Sequence, residues 1–169
     1  MINREIIRLK VVQITYAYYQ NGGKNIDTAE KELFFSLAKA YDLYNYLLTL
    51  MVEINRIAER AVETAQSRYN RIKVGEPPST KFIDNRFIMQ LEVNKQLLDF
   101  RENQKKSWVN EEDFVRSLYK QIIETDYYKE YMASAESSYA QDRELWRHLS
   151  GVASRHSPCT HEDRQRQTR

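Results

Sequence analysis

The chain has 169 residues, with 26 Lys and Arg against 24 Asp and Glu, 41% apolar residues and a single Cys. That composition suits one soluble body with enough apolar and aromatic side chains for a core, and the lone Cys excludes an internal disulfide framework. No apolar run approaches the ~18 residues of a membrane helix, and Arg4, Arg8 and Lys10 interrupt the stretch where a signal peptide needs its apolar segment, so a cytoplasmic protein is expected.

Residues 3–20 predict a first helix, because Ile7, Val11, Ile14 and Tyr18 recur every three or four positions with no Gly or Pro between them. Asn21-Gly22-Gly23 ends it. Asp27 followed by Glu30 resembles a capping box and opens a second helix. There Leu33, Leu37, Ala40, Tyr44, Leu47, Met51, Ile54, Ala58, Ala61 and Ala65 keep a 3.5-residue repeat, the pattern of a seam buried against another helix. Nothing from Lys24 to Val74 is Gly or Pro; a helix of that length exceeds the usual globular range, so a break is expected near residues 34–40.

Gly75-Glu76-Pro77-Pro78-Ser79 predicts a loop, since the Pro pair removes two donors and holds the preceding residue extended. A helix up to about Lys106 follows, capped by Asn85 or Asp84 and carrying Phe87, Leu91, Asn94 and Leu98 on one face. Asn110 is the expected cap of the next, with Phe114, Val115, Leu118, Ile122 and Ile123, after which Asp126 introduces the cluster Tyr127, Tyr128, Tyr131 and Met132. Ser138 opens a last helix to about Leu149. Without any strand-type alternation the chain is all-α, a bundle of about five to six helices. Its expected organisation is an N-terminal helical subdomain 1–74, a Pro-containing loop 75–84, further helices of the same body 85–149 and a disordered tail 150–169.

Charge is unevenly placed. Residues 1–147 hold 22 bases and 22 acids, so the formal +2 lies wholly in residues 148–169, which also hold all three His and the only Cys. The first 24 residues have a local net of +3 from Arg4, Arg8, Lys10 and Lys24 against Glu5, residues 27–55 are acidic, and residues 56–73 are basic again. Such local potentials persist on a neutral total.

Residues 1–147 contain neither His nor Cys, which removes the usual general base, the thiol nucleophile, almost every zinc site and the Glu-x-x-His pairs of a di-iron bundle. Gly22-Gly23 lacks the pattern of a phosphate cradle. A non-enzymatic protein without cofactor is therefore expected. His156-Ser157-Pro158-Cys159-Thr160-His161 has metal-ligand residue types, but with nothing to fold around it is expected to bind metal only adventitiously. Arg4 and Arg8, one turn apart, could engage a phosphate backbone, and the same spacing equally suits solvated surface charge. Arg56, Arg60, Arg68 and Arg71 form a second stripe, in which Glu53 and Glu63 are placed for intrahelical ion pairs. Tyr16, Tyr18, Tyr19, Tyr41, Tyr44 and Tyr46 could stack on unpaired bases; helical spacing favours a core role for Tyr18 and Tyr44.

Arg8-Leu9-Lys10-Val11-Val12-Gln13-Ile14-Thr15-Tyr16, followed by Ala17, Tyr18 and a short polar turn, resembles the opening helix of the transcription antitermination factor NusB family, with matches at Arg8, Gln13 and Tyr16 and departures at Val11 and Thr15. Tyr44-Asn45-Tyr46-Leu47-Leu48-Thr49-Leu50 is similar to the long helix of that family's N-terminal half, so the resemblance covers roughly residues 1–73. The opening, with Asn85, Asn94 and Asn103 in an extended middle segment, looks like the longer version found in Bacteroides-type bacteria. The resemblance implies an all-helical protein that binds boxA-type RNA through its N-terminus, together with NusE, a small-subunit ribosomal protein, on RNA polymerase. It places Arg8 in the RNA contact with Arg4 and Lys10 as neighbours of like charge, and assigns Gln13 and Tyr16 to packing and orienting the first helix. The family's C-terminal arginine-led helix, Asn-Glu pair and closing Asn-Gly segment are not present here. The expectation is thus an N-terminal piece with residues 148–169 in a shifted frame or appended, and with the NusE surface incomplete. The alternative is a helical protein–protein interaction module, docking its heptad seam on another protein or on a second copy as a homodimer.

Overall fold

In a computed structural model the chain is described over residues 3–23, 25–103, 107–135 and 138–156, the last five as backbone. Among these residues it is all-α, with seven α-helices, one 3-10 turn and no strand. The helices are α1 (Arg4–Gln20), α2 (Ile26–Ile72), α3 (Arg86–Glu92), α4 (Lys95–Asn103), α5 (Glu112–Glu124), α6 (Asp126–Ala133) and α7 (Tyr139–His156), with the 3-10 turn at Trp108–Glu111 before α5. Two compact units result, Met1–Leu47 and Leu48–Arg169. They divide inside α2 and not at the Pro-containing loop 75–84.

Side-chain caps account for most of the boundaries, and for several corrections. The cap of α2 lies two residues earlier than the Asp27–Glu30 pair suggested, because Asn25 Oδ1 accepts the backbone N–H groups of Asp27 and Thr28 at 3.0 and 3.3 Å. No break occurs at residues 34–40: without Gly, Pro or a competing cap, each added residue continues the hydrogen-bond ladder at little cost. The helix expected after Asn85 is two helices. Asn94, read as a face residue, instead caps α4 by accepting from the Leu97 N–H at 3.1 Å. Asn110 lies within the 3-10 turn, which Ser107 caps through the Val109 N–H, and α6 is a separate helix capped by Thr125 Oγ1 on the Tyr128 N–H. Ser138 does open α7, accepting from Gln141 at 3.3 Å. That helix continues past the expected end at Leu149 to His156, inside the stretch expected to be a disordered tail, and the next breaker, Pro158, is two residues further on. The His156–His161 cluster lies outside the residues whose side chains are described.

The core belongs to the second unit. α7 packs on α3, α5 and α6, burying Leu145, Trp146 and Leu149 with Ile88, Val115, Leu118 and Ile122. In α2, Leu50, Val52, Ile54, Asn55 and Ala58 are all buried and spread over an arc of about 200°, so this stretch buries a face wider than a single seam. Tyr44, expected in the core, is 50% exposed, and Ala61 is exposed.

Two polar arrangements lock this unit. Asp142, on α7, is buried; its Oδ1 accepts from the Tyr131 hydroxyl at 2.6 Å and its Oδ2 from the Arg86 N–H at 3.0 Å, so that α7 caps α3. Asn85 caps the same helix through Phe87 and Ile88 and donates to the Asp142 carbonyl. Lys81 Nζ donates to the carbonyls of Tyr131 and Ser134, each at 2.6 Å, closing the C-terminal end of α6 while standing 4.6 Å from the Tyr131 ring centre.

Phe82 anchors an aromatic cluster with Tyr119, Tyr128 and Trp146, ring centres 6.3, 5.2 and 5.5 Å away. Burial holds the Tyr119, Tyr128 and Tyr131 hydroxyls above the ordinary tyrosine value, and Asp142 adds to the effect at Tyr131. The folded state thus keeps three protons more tightly than the unfolded chain. The stability they contribute is complete below pH about 10 and is lost as pH rises beyond it. In an alkaline titration, tyrosinate absorbance is expected to rise in an early phase for the exposed tyrosines and a late one coincident with loss of helical circular dichroism. A single smooth phase with helicity retained would contradict the burial of these rings.

Candidate nucleic-acid interface

α1 is set at both ends by local chemistry. Asn3 caps its start by accepting from the Glu5 N–H. At the other end Gly23 N–H reaches the Tyr18 carbonyl at 2.9 Å and Gly22 N–H the Tyr19 carbonyl at 3.1 Å, the paired bonds of a Schellman turn, with Gly22 at φ +82° where a side chain would be strained. The Tyr18 hydroxyl then donates to the Gly23 carbonyl at 2.5 Å, latching the ring over the turn.

No residue of α1 is fully buried. Lys10, Ile14, Ala17 and Tyr18 are the half-buried ones and define its inner side. At about 100° per residue, Arg4, Arg8, Val12, Tyr16 and Tyr19 share an outer sector of about 120°, and Lys10 lies across the helix from Arg8. Arg4 and Arg8 are exposed and pair with no carboxylate among the described residues. Tyr16 and Tyr19 are 66% and 74% exposed. Tyr16 is steadied by Gln20, whose amide donates to its hydroxyl at 2.9 Å, and Tyr19 by an edge-on contact with Tyr18 at 5.6 Å.

The five residues singled out in the sequence therefore separate. Arg4 and Arg8 come together, Lys10 does not join them, and Gln13 and Tyr16, expected to pack the helix, are both exposed. Tyr19, one of the tyrosines read as able to stack on unpaired bases, completes the outer face. Its signal was the eleven-residue spacing from Arg8, three helical turns, which returns it to the same side. The result is a surface with two guanidinium groups beside two held aromatic rings, able to meet phosphate and base of a single strand together.

Among the described residues no group of three or more His, Cys, Asp or Glu could hold a metal ion, and no helix is long and apolar enough to cross a membrane. Comparisons with protein-family models, with curated proteins and with solved structures find no match to this chain.

Proposed function

We propose that the chain is an RNA-binding, non-enzymatic transcription antitermination factor of the NusB type, acting in the cytoplasm on boxA-type RNA in the RNA polymerase complex, as an incomplete chain whose NusE surface is only partly present. The observation that carries this reading is the outer face of α1, where unpaired Arg4 and Arg8 stand with exposed Tyr16 and Tyr19 on the helix that bears the resemblance. Arg4 and Arg8 contact phosphates, Tyr16 and Tyr19 stack on unpaired bases, and Lys10 contributes only to the local field.

The test is a fluorescence-anisotropy titration with a boxA-like RNA and a scrambled control at two salt concentrations. Arg8→Glu is expected to weaken binding and to reduce the salt slope by about 0.7 for the phosphate contact it removes. Tyr19→Ala is expected to lose about 1–3 kcal/mol without changing the slope. An unchanged slope in Arg8→Glu, or equal affinity for both RNAs, would count against the assignment.

A second reading, the helical interaction module, is favoured by one observation. Phe34, Phe35, Leu43 and Tyr44 of α2 are each at least half exposed, large apolar side chains set around the helix that a partner could cover. Association insensitive to salt would support it.

A further inference from the structure

Arg56 and Arg60 of α2 lie one turn apart in the second unit, on the wall of a shallow, open cleft that Glu53, Glu112 and Trp108 also line. Around it the charges alternate in two short runs. Glu53 Oε1 accepts from Arg56 at 2.9 Å and from Arg101 at 3.1 Å. Glu112 Oε1 accepts from Arg60 at 3.1 Å and from Arg116 at 2.7 Å. Where the runs meet, Arg56 and Arg60 are neighbours of like charge at the spacing that repels on a helix. Each guanidinium has five donors and gives one to its carboxylate. Glu59 accepts from the Asn55 amide at 3.1 Å and feels Arg56 only through space, and among the described residues no carboxylate forms an ion pair with both arginines. Trp108, buried and stacked on Phe114 at 5.8 Å, gives the cleft a rigid wall.

We infer that this cleft binds a phosphate group between Arg56 and Arg60, either free phosphate or a phosphodiester of a nucleic-acid backbone. One anion there completes the alternation from Arg101 through Glu53 and Arg56 to Arg60, Glu112 and Arg116. It takes the spare guanidinium donors in the planar, forked geometry that suits phosphate. The site is separate from the α1 face and does not rest on the RNA reading.

The double variant Arg56→Gln/Arg60→Gln tests it cleanly, because Glu53 keeps Arg101 and Glu112 keeps Arg116, so neither carboxylate is orphaned. Thermal unfolding is followed with inorganic phosphate or pyrophosphate against chloride at matched ionic strength. Phosphate is expected to raise the midpoint of the unaltered chain by about 3–5 °C at ten times its Kd and to leave the double variant unmoved. An equal rise in both proteins overturns the site, as does no rise in either. Anisotropy with a single-stranded RNA then separates the sources. A backbone ligand predicts a lower salt slope in the double variant, whereas free phosphate predicts unchanged RNA binding. Arg4→Gln/Arg8→Gln serves as control; it should keep the phosphate-induced rise whatever it does to RNA, so the α1 reading and this one fail separately.

Discussion

Replacing Asp142 by Ala is expected to destabilise the second unit by about 3–5 kcal/mol, because the Tyr131 hydroxyl and the Arg86 N–H both lose their acceptor in a buried place. Urea denaturation followed by circular dichroism measures it. Asp142→Asn should cost less, since an amide oxygen can still accept from Arg86, while its NH2 group must face Tyr131. Tyr131→Phe should cost about 1–3 kcal/mol, because buried Asp142 Oδ1 then loses the donor it faces while the Arg86 N–H keeps its acceptor. A loss under about 1 kcal/mol for Asp142→Ala would show that α7 does not cap α3 in solution.

Trp146→Ala is expected to cost a similar amount, about 3–5 kcal/mol, by opening a cavity beneath Phe82 where the two ring centres are 5.5 Å apart. Trp146→Phe is the informative companion. Trp146 Nε1 is buried with no acceptor among the described residues, so the phenyl ring gives up volume without orphaning a polar partner and should cost less than half as much. Both Trp108 and Trp146 are at most 4% exposed, and fluorescence can follow these variants directly: folded emission should be blue-shifted and move to the red in a single transition. Trp146→Ala retaining the unaltered chain's midpoint would contradict the core as described.

Local chemistry made part of this fold legible in advance. The limits of α1, its Gly22 turn, the Asn85 cap and the start of α7 at Ser138 depend on residues within a few positions of one another, and each was readable. Asn94 was misjudged because a polar residue in a periodic stretch can sit on a face or end the helix, and only the bond to Leu97 decides. The expected break in α2 came from typical helix length, and nothing in the residues themselves supported it. Burial was less legible still. Tyr44 has seam spacing and is half exposed, since spacing says which residues share a side and not what lies opposite. Arg60 was expected to pair within its own helix; its partner is Glu112, 52 residues away, and no spacing rule reaches that far. For the candidate interface, Arg4 and Arg8 were readable as a pair, whereas the exposure of Tyr16 and Tyr19 depends on what packs against α1.

The Schellman turn and the α3 cap also differ in when they can form. The Tyr18 latch closes over residues five apart, so its loop entropy is small and the turn can settle as soon as Gly23 has left the ribosome. The bond from Asn85 to Asp142 spans 57 residues and must wait until α7 has been made. Through that interval α3 has its own Asn85 cap but not the carboxylate that completes it, and Ile88 has no α7 to cover it. The nascent second unit therefore shows apolar surface for most of its synthesis, and chaperone dependence should concentrate there while the N-terminal helix is already shaped.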